Sequence, residues 1–187
     1  TRPAPSLRVV EVGGSPLPAK LRALTRERLC PWVRSHYGSS ETGAIASAPF
    51  EALGDAPGAV GYVHAGVAAE IVDEADNVLP PGTEGIVRTR SPHAATGYMD
   101  DPDTSARVFR DGWFYSGDVG TLSADGVLTI AGRIGDFINQ GGAKVAPSVV
   151  EAALLALPQV TEAVAFGAAD RMGLTRIWAA IVADGPV

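Results

Sequence analysis

YGSSETG, Tyr37 to Gly43, is the stretch on which the reading of this chain turns. It sets an aromatic ring, a glycine, hydroxyls and a carboxylate side by side. The Tyr37 ring offers a face on which a purine stacks. Gly38 lets the backbone come close to a ligand. Ser40 can donate to a phosphate oxygen, and Glu41 can ligate Mg²⁺, which prefers carboxylate and phosphate oxygens. The same string also fits a strand-to-turn junction with Glu41 in water, so its neighbours have to decide.

Upstream, LRVVEV (7–12) reads as a short buried strand broken by GGSP (13–16). Leu17, Leu21 and Leu24 recur at i, i+4 and i+7, which predicts an amphipathic helix over 17–28 packed on the core. WVRSHY (32–37) predicts a second strand ending where the motif begins. Adjacent glycines after a strand leave bare backbone against which a flat base can lie; a plain turn needs the same residues.

From about 58 to 131 the texture changes. Short β-rich runs (VGYVH, VAAEIV, GIVRTR, WFYSGDVGTL, VLTIAG) alternate with the turn clusters DEADN, PPGTE and SADG. That pattern predicts a small antiparallel barrel or sandwich. Within it only PDTSARV (102–108) reads as helix, with Pro at its start. After Arg133, Pro147 leads an apolar stripe of Val150, Ala153, Leu154 and Leu157, a helix that Pro158 ends. The runs VTEAVAFG and RIWAAIVA then read as strands of a small α+β unit.

Two further strings carry chemistry. In YSGD (115–118), Asp118 offers two acceptor oxygens that match the cis-diol of a ribose; a hairpin turn or a helix cap uses the same residues. In GRIGDFINQGGAKV (132–145), Arg133 has a fork suited to ribose or phosphate oxygens, or to a surface ion pair.

The bulk numbers exclude several classes. The 187 residues suffice for one ordinary domain or two small ones, and 46% hydrophobic with 19% charged residues is a globular balance. No apolar run approaches the roughly 18–20 residues of a membrane span. A net charge of −6 argues against general nucleic-acid binding. Cys30 stands alone, so no intramolecular disulfide forms, which fits a reducing cytoplasm. The start has no signal-peptide layout, and it lacks an initiator Met, which suggests a chain that is cut, processed or part of something longer. Lys20 and Lys144 are the only lysines.

Taken in order, strand-GGSP, YGSSE, YSGD and GRIGDFINQGGAKVAPSVVE resemble the adenylate-forming superfamily of acyl- and aryl-CoA ligases, firefly-luciferase-like enzymes and peptide-synthetase adenylation domains. PPGTEGIVRTRSPHAATGYMDDPDTSARVF is similar to the family's text between those motifs.

The resemblance implies a mixed α+β fold in three parts. Residues 1–45 would end a large α/β subdomain, 46–133 would form a β-rich, barrel-like subdomain, and 134–187 would begin a mobile α+β domain. It further implies that Gly14, Ser15 and Pro16 line the adenine and acyl pocket. Tyr37 would stack on adenine within Gly38 and Ser39, Ser40 would meet the α-phosphate, and Glu41 would hold Mg²⁺. Asp118 would bind the ribose with help from Arg133. Gly135 would be the hinge, with Gly142 and Lys144 on the side of the thiol acceptor.

The implied chemistry has two steps. A carboxylic acid and ATP give acyl-AMP and pyrophosphate, and then a thiol, CoA or a carrier protein's, displaces AMP. Ser39, where amino-acid-activating members have Pro, and the Pro pattern of KVAPSVVE favour CoA. The family's phosphate loop would precede residue 1, and its late G-K lysine has no counterpart after Lys144. The chain is therefore expected to be a fragment unable to catalyse adenylation alone. The rival reading is a non-catalytic relative that binds AMP or a partner.

Overall fold

The structure, a computed structural model, describes residues 4–54 and 56–185. It divides into two compact units, Thr1–Ile130 and Ala131–Val187.

The first unit opens with β1 (Val10–Val12), α1 (Ala19–Arg28), β2 (Val33–Ser39), β3 (Gly43–Pro49) and the short α2 (Phe50–Leu53). The strands β4 (Ala59–Val63), β5 (Ala68–Val72) and β6 (Gly85–Arg90) follow, then α3 (Pro102–Val108), β7 (Phe109–Arg110), β8 (Trp113–Leu122) and β9 (Val127–Arg133). All of these strands join one nine-stranded sheet in the order β1-β2-β3-β4-β9-β8-β6-β5, with β7 on β8. β1 and β2 run parallel, whereas β2–β3 and β3–β4 are antiparallel.

The mixed α+β class is as expected. The antiparallel strands do not close into a barrel, however. β3 spans residue 45 and pairs with strands on both sides of it, so the β-rich middle extends the sheet that β1 and β2 begin.

The core of this unit gathers Ile45, Ala46, Ile71, Val87 and Leu128, with Tyr37 packed at its margin. Two expectations at the N-terminal side need correction. β1 is shorter than 7–12 and is not buried, with Leu7 and Val9 exposed. α1 forms, but Leu21 and Leu24 on its apolar stripe are 49% and 39% exposed, and none of its residues is buried. The helix lies beside β2 without turning that stripe onto a covering surface.

α3 starts as its sequence predicts. Pro102 opens the first turn, and Asp101 caps it by accepting the Thr104 N–H at 3.0 Å.

The second unit holds the hairpin β10 (Ile138–Gln140) and β11 (Ala143–Val145), then α4 (Pro147–Leu155), and the hairpin β12 (Val160–Ala169) and β13 (Thr175–Ala183). α4 packs on β12, and Glu151 reaches across to accept the Ala165 N–H at 3.0 Å. Of the expected stripe, Val150 and Leu154 are half-buried, while Ala153 and Leu157 are exposed. Among the described residues, no helix is long and apolar enough to cross a membrane.

Candidate functional site

The motif 37–43 is a hairpin. Ser39 faces Gly43 across a three-residue loop, and Gly43 has φ +70°. A three-residue loop closing on a left-handed glycine is a common hairpin solution, and it brings a bulge with it. The register slips between Tyr37 and Gly38, where Ile45 is the extra residue of β3.

Gly38 has a reason internal to this hairpin. A Cβ there would collide with the Gly43 carbonyl oxygen, a contact that only backbone movement relieves. Thr42 is buried in the loop, and its Oγ1 shares a hydrogen bond of 3.1 Å with Ser39 Oγ.

The hairpin carries two acidic contacts. At its base, the Tyr37 hydroxyl donates to Asp118 Oδ2 at 2.6 Å, across 81 residues of sequence. Asp118 is 7% exposed, and its own N–H is held by Ser116 Oγ at 3.2 Å. β8 presents it through a bulge. Arg88 pairs with Tyr115 and Ile86 with Val119, so Ser116, Gly117 and Asp118 lie opposite a single residue of β6. Such bulges re-aim side chains next to sites.

At the hairpin tip, Glu41 accepts from the Tyr98 hydroxyl at 2.7 Å and from Ser40 Oγ at 3.2 Å. The Tyr98 hydrogen bond holds its carboxyl below the ordinary range, against the opposing effect of partial burial. Tyr98 is pushed up by the same bond.

Other candidates stand elsewhere. Gly14, Ser15 and Pro16 are exposed in the turn after β1, and Gly13 beside them lies against His36. Arg133 ends β9 and is exposed in the second unit, where its carbonyl accepts the Asp136 N–H of a turn containing Gly135. Gly142 sits at φ +96° in the β10–β11 turn and donates its N–H to Asn139 Oδ1 at 3.0 Å. Lys144 is exposed on β11, opposite Asn139.

Sequence reasoning passed over Tyr98 and Ser116. Tyr98 lies within PPGTEGIVRTRSPHAATGYMDDPDTSARVF and Ser116 within YSGD, but spacing gives no sign that they bond to Glu41 and Asp118.

Among the described residues, no group of three or more His, Cys, Asp or Glu could hold a metal. Glu41 alone is no resident metal site. A single carboxylate fits Mg²⁺ only as a cation that arrives with nucleotide phosphates and keeps most of its water. The donor set fits that case.

The family model described as AMP-binding enzyme matches residues 1–99, more than half of the chain. The oxalate–CoA ligase of Saccharomyces cerevisiae is 34% identical over 183 residues, 96% of this chain and 34% of that protein. The chain thus spans about a third of the length of this curated relative. Among solved structures, O-succinylbenzoate coenzyme A synthetase from Bacillus subtilis, in complex with ATP and magnesium ion, superposes with a TM-score of 0.84 at 29% identity, covering 100% of this chain and 38% of that one. The amide bond synthetase of Marinactinospora thermotolerans gives a TM-score of 0.84 at 34% identity, covering 97% and 38%. With its YGSSETG hairpin bonded to Asp118 and its sequence matched over residues 1–99, the chain belongs to the family of AMP-binding enzymes.

Proposed function

We propose that this chain supplies the adenine, ribose and metal side of the active site of an ATP-dependent acyl-adenylate-forming ligase. The convergence of Tyr37 and Asp118 at 2.6 Å, on the hairpin whose tip carries Glu41, is the observation that carries this reading. Asp118 would accept the ribose hydroxyls, its carboxylate oriented by the Tyr37 phenol. The Tyr37 ring would lie against adenine beside Gly14, Ser15 and Pro16, with Gly38 and Ser39 in the same wall. Ser40 would turn from Glu41 to the α-phosphate. Glu41 would hold Mg²⁺, which when bound draws charge off the phosphate oxygens.

The partners in this reading are a small carboxylic acid and CoA. CoA–ligase relatives support CoA. The amide bond synthetase likeness makes an amine the acceptor to compare with it, and a carrier-protein thiol is a third. Arg133, at the end of the β-rich subdomain, would help Asp118 with the ribose, and Gly135, Gly142 and Lys144 would act from the mobile domain that 134–187 begins. Residues 1–45 and 46–133 would be the end of the large subdomain and the β-rich subdomain. The lone, buried Cys30 supports a reducing, cytoplasmic setting.

The test is calorimetric titration of this chain with AMP, alongside pyrophosphate release from ATP with a panel of carboxylic acids. AMP binding that Asp118→Ala weakens, with no pyrophosphate released by the chain alone, is the expected result. Absence of AMP binding would overturn the nucleotide site. Adenylation by a longer form that carries the phosphate loop and the late lysine, followed by transfer to CoA rather than to an amine, would complete the assignment.

A further inference from the structure

Glu41 sits at a hairpin tip, where a long carboxylate side chain ordinarily samples several rotamers and loses that freedom on binding. Here a strap formed by residues 91–101, between β6 and α3, removes it. The Ala95 N–H donates to the Glu41 carbonyl oxygen at 2.7 Å, and the Tyr98 hydroxyl donates to Glu41 Oε1 at 2.7 Å. Tyr98 is itself fixed at both ends. Its backbone N–H donates to Ser105 Oγ at 2.7 Å, and that hydroxyl donates to the Asp101 carbonyl at the start of α3, also at 2.7 Å. The ring packs edge-on against Phe109, with centroids 5.6 Å apart.

The hydroxyl is therefore delivered by a rigid frame, α3 and its cap, onto one oxygen of a carboxylate 57 residues earlier in the chain. A strap that only had to cover the hairpin would need the Ala95 bond and no phenol aimed at the carboxylate.

We propose that Tyr98 is the positioning residue for Glu41. By occupying one lone pair of Oε1 it fixes the carboxylate rotamer. Oε2 is left for a divalent cation carried by nucleotide phosphates, once Ser40 turns to phosphate. Preorganisation of this kind raises affinity by removing the cost of ordering. The inference rests on the reading of Glu41 as a metal ligand.

The test uses this chain with Mn²⁺ as the probe. Free Mn²⁺ is followed by electron paramagnetic resonance during titration with ATP, and metal-free AMP binding is followed by calorimetry. Tyr98→Phe keeps the ring against Phe109 and removes only the hydroxyl. Expected is a three- to tenfold loss of Mn²⁺·ATP affinity, with AMP affinity and Tm unchanged. Equal Mn²⁺·ATP affinity in variant and wild type overturns the proposal. So does a parallel loss of AMP binding, which marks general damage. Should Tyr98→Phe melt early, Ser105→Ala takes its place, since it keeps the phenol and frees its backbone; the same selective loss is expected, and its absence overturns the proposal. A wild-type chain that binds AMP but not Mn²⁺·ATP removes the metal role of Glu41 and this inference together. A chain that binds neither removes the nucleotide site first.

Discussion

The β2–β3 and β10–β11 hairpins both have glycine-bearing, polar turns, and they are built differently. The β2–β3 hairpin is fastened from outside, at its base by Tyr37 on Asp118 and at its tip by Tyr98 on Glu41. The β10–β11 hairpin is tied within itself, by the Gly142 N–H on Asn139 Oδ1. The first gathers side chains separated by 81 and 57 residues, so its geometry exists only when the whole sheet has formed. The tie of the second lies within its own eight residues, while Ile138 at its start is buried against β12. A group that must meet a ligand in one fixed position belongs on the first kind of turn. In the proposed reading, where 134–187 begins a mobile domain, the second kind suits a turn that travels with it.

The largest effect expected is at Gly38. Alanine there drives a methyl into the Gly43 carbonyl, and backbone must shift to relieve it. Urea unfolding of Gly38→Ala should show a loss of about 3 kcal/mol, the upper end for overpacking. Gly142→Ala is the control in the other hairpin. Nothing crowds a Cβ there, so only the positive φ matters, at about 1–2 kcal/mol. Equal losses in the two variants would break the contrast between a constrained and a free turn.

Asp118→Ala comes next. Removing the acceptor from a site that binds ribose hydroxyls should weaken AMP binding by about 1–3 kcal/mol, roughly 5- to 150-fold by calorimetry. Lys144→Ala, on the second hairpin, should leave AMP affinity where it was. A Lys144 effect as large as that of Asp118 would mean that the second turn takes part in holding AMP, contrary to the division drawn above.

The sequence made some of this contrast readable and hid the rest. Pro102 at the head of a helical run gave α3, because a first-turn Pro is a local signal, while the Asp101 cap went unread. YGSSETG and YSGD announced chemistry, because both crowd unusual side chains into few residues. The bond between them was not legible, since a bulge in β8 sets where Asp118 points and no spacing rule encodes it. Gly38 was read as an opening for a ligand, yet its hairpin already demands glycine. The leucines of α1 carried a correct helical period, but periodicity cannot say whether a covering surface is there, and Leu21 is 49% exposed. Tyr98 was invisible for the same reason as the Asp118 bond: its role depends on a partner 57 residues away.

The smallest effect expected is in acid titration, and it separates the hairpins most directly. The Tyr98 hydroxyl stabilises the ionised form of Glu41 and lowers its pKa from the ordinary value of 4.5. A carboxylate whose folded pKa is depressed stabilises the fold fully above its unfolded pKa, and that contribution is lost as pH falls through the folded value. The bond between strap and tip should therefore be intact at neutral pH and weaken only below about pH 4.5. Carboxyl resonances followed by NMR should place the Glu41 midpoint below 4.5 in the wild type and nearer to it in Tyr98→Phe. The Gly142 amide, held by the neutral Asn139 side chain, should not move over the same range. A Glu41 midpoint that ignores the loss of the Tyr98 hydroxyl would show that Ser40 and the local backbone, not the strap, hold the carboxylate, and the first hairpin would then be as self-contained at its tip as the second.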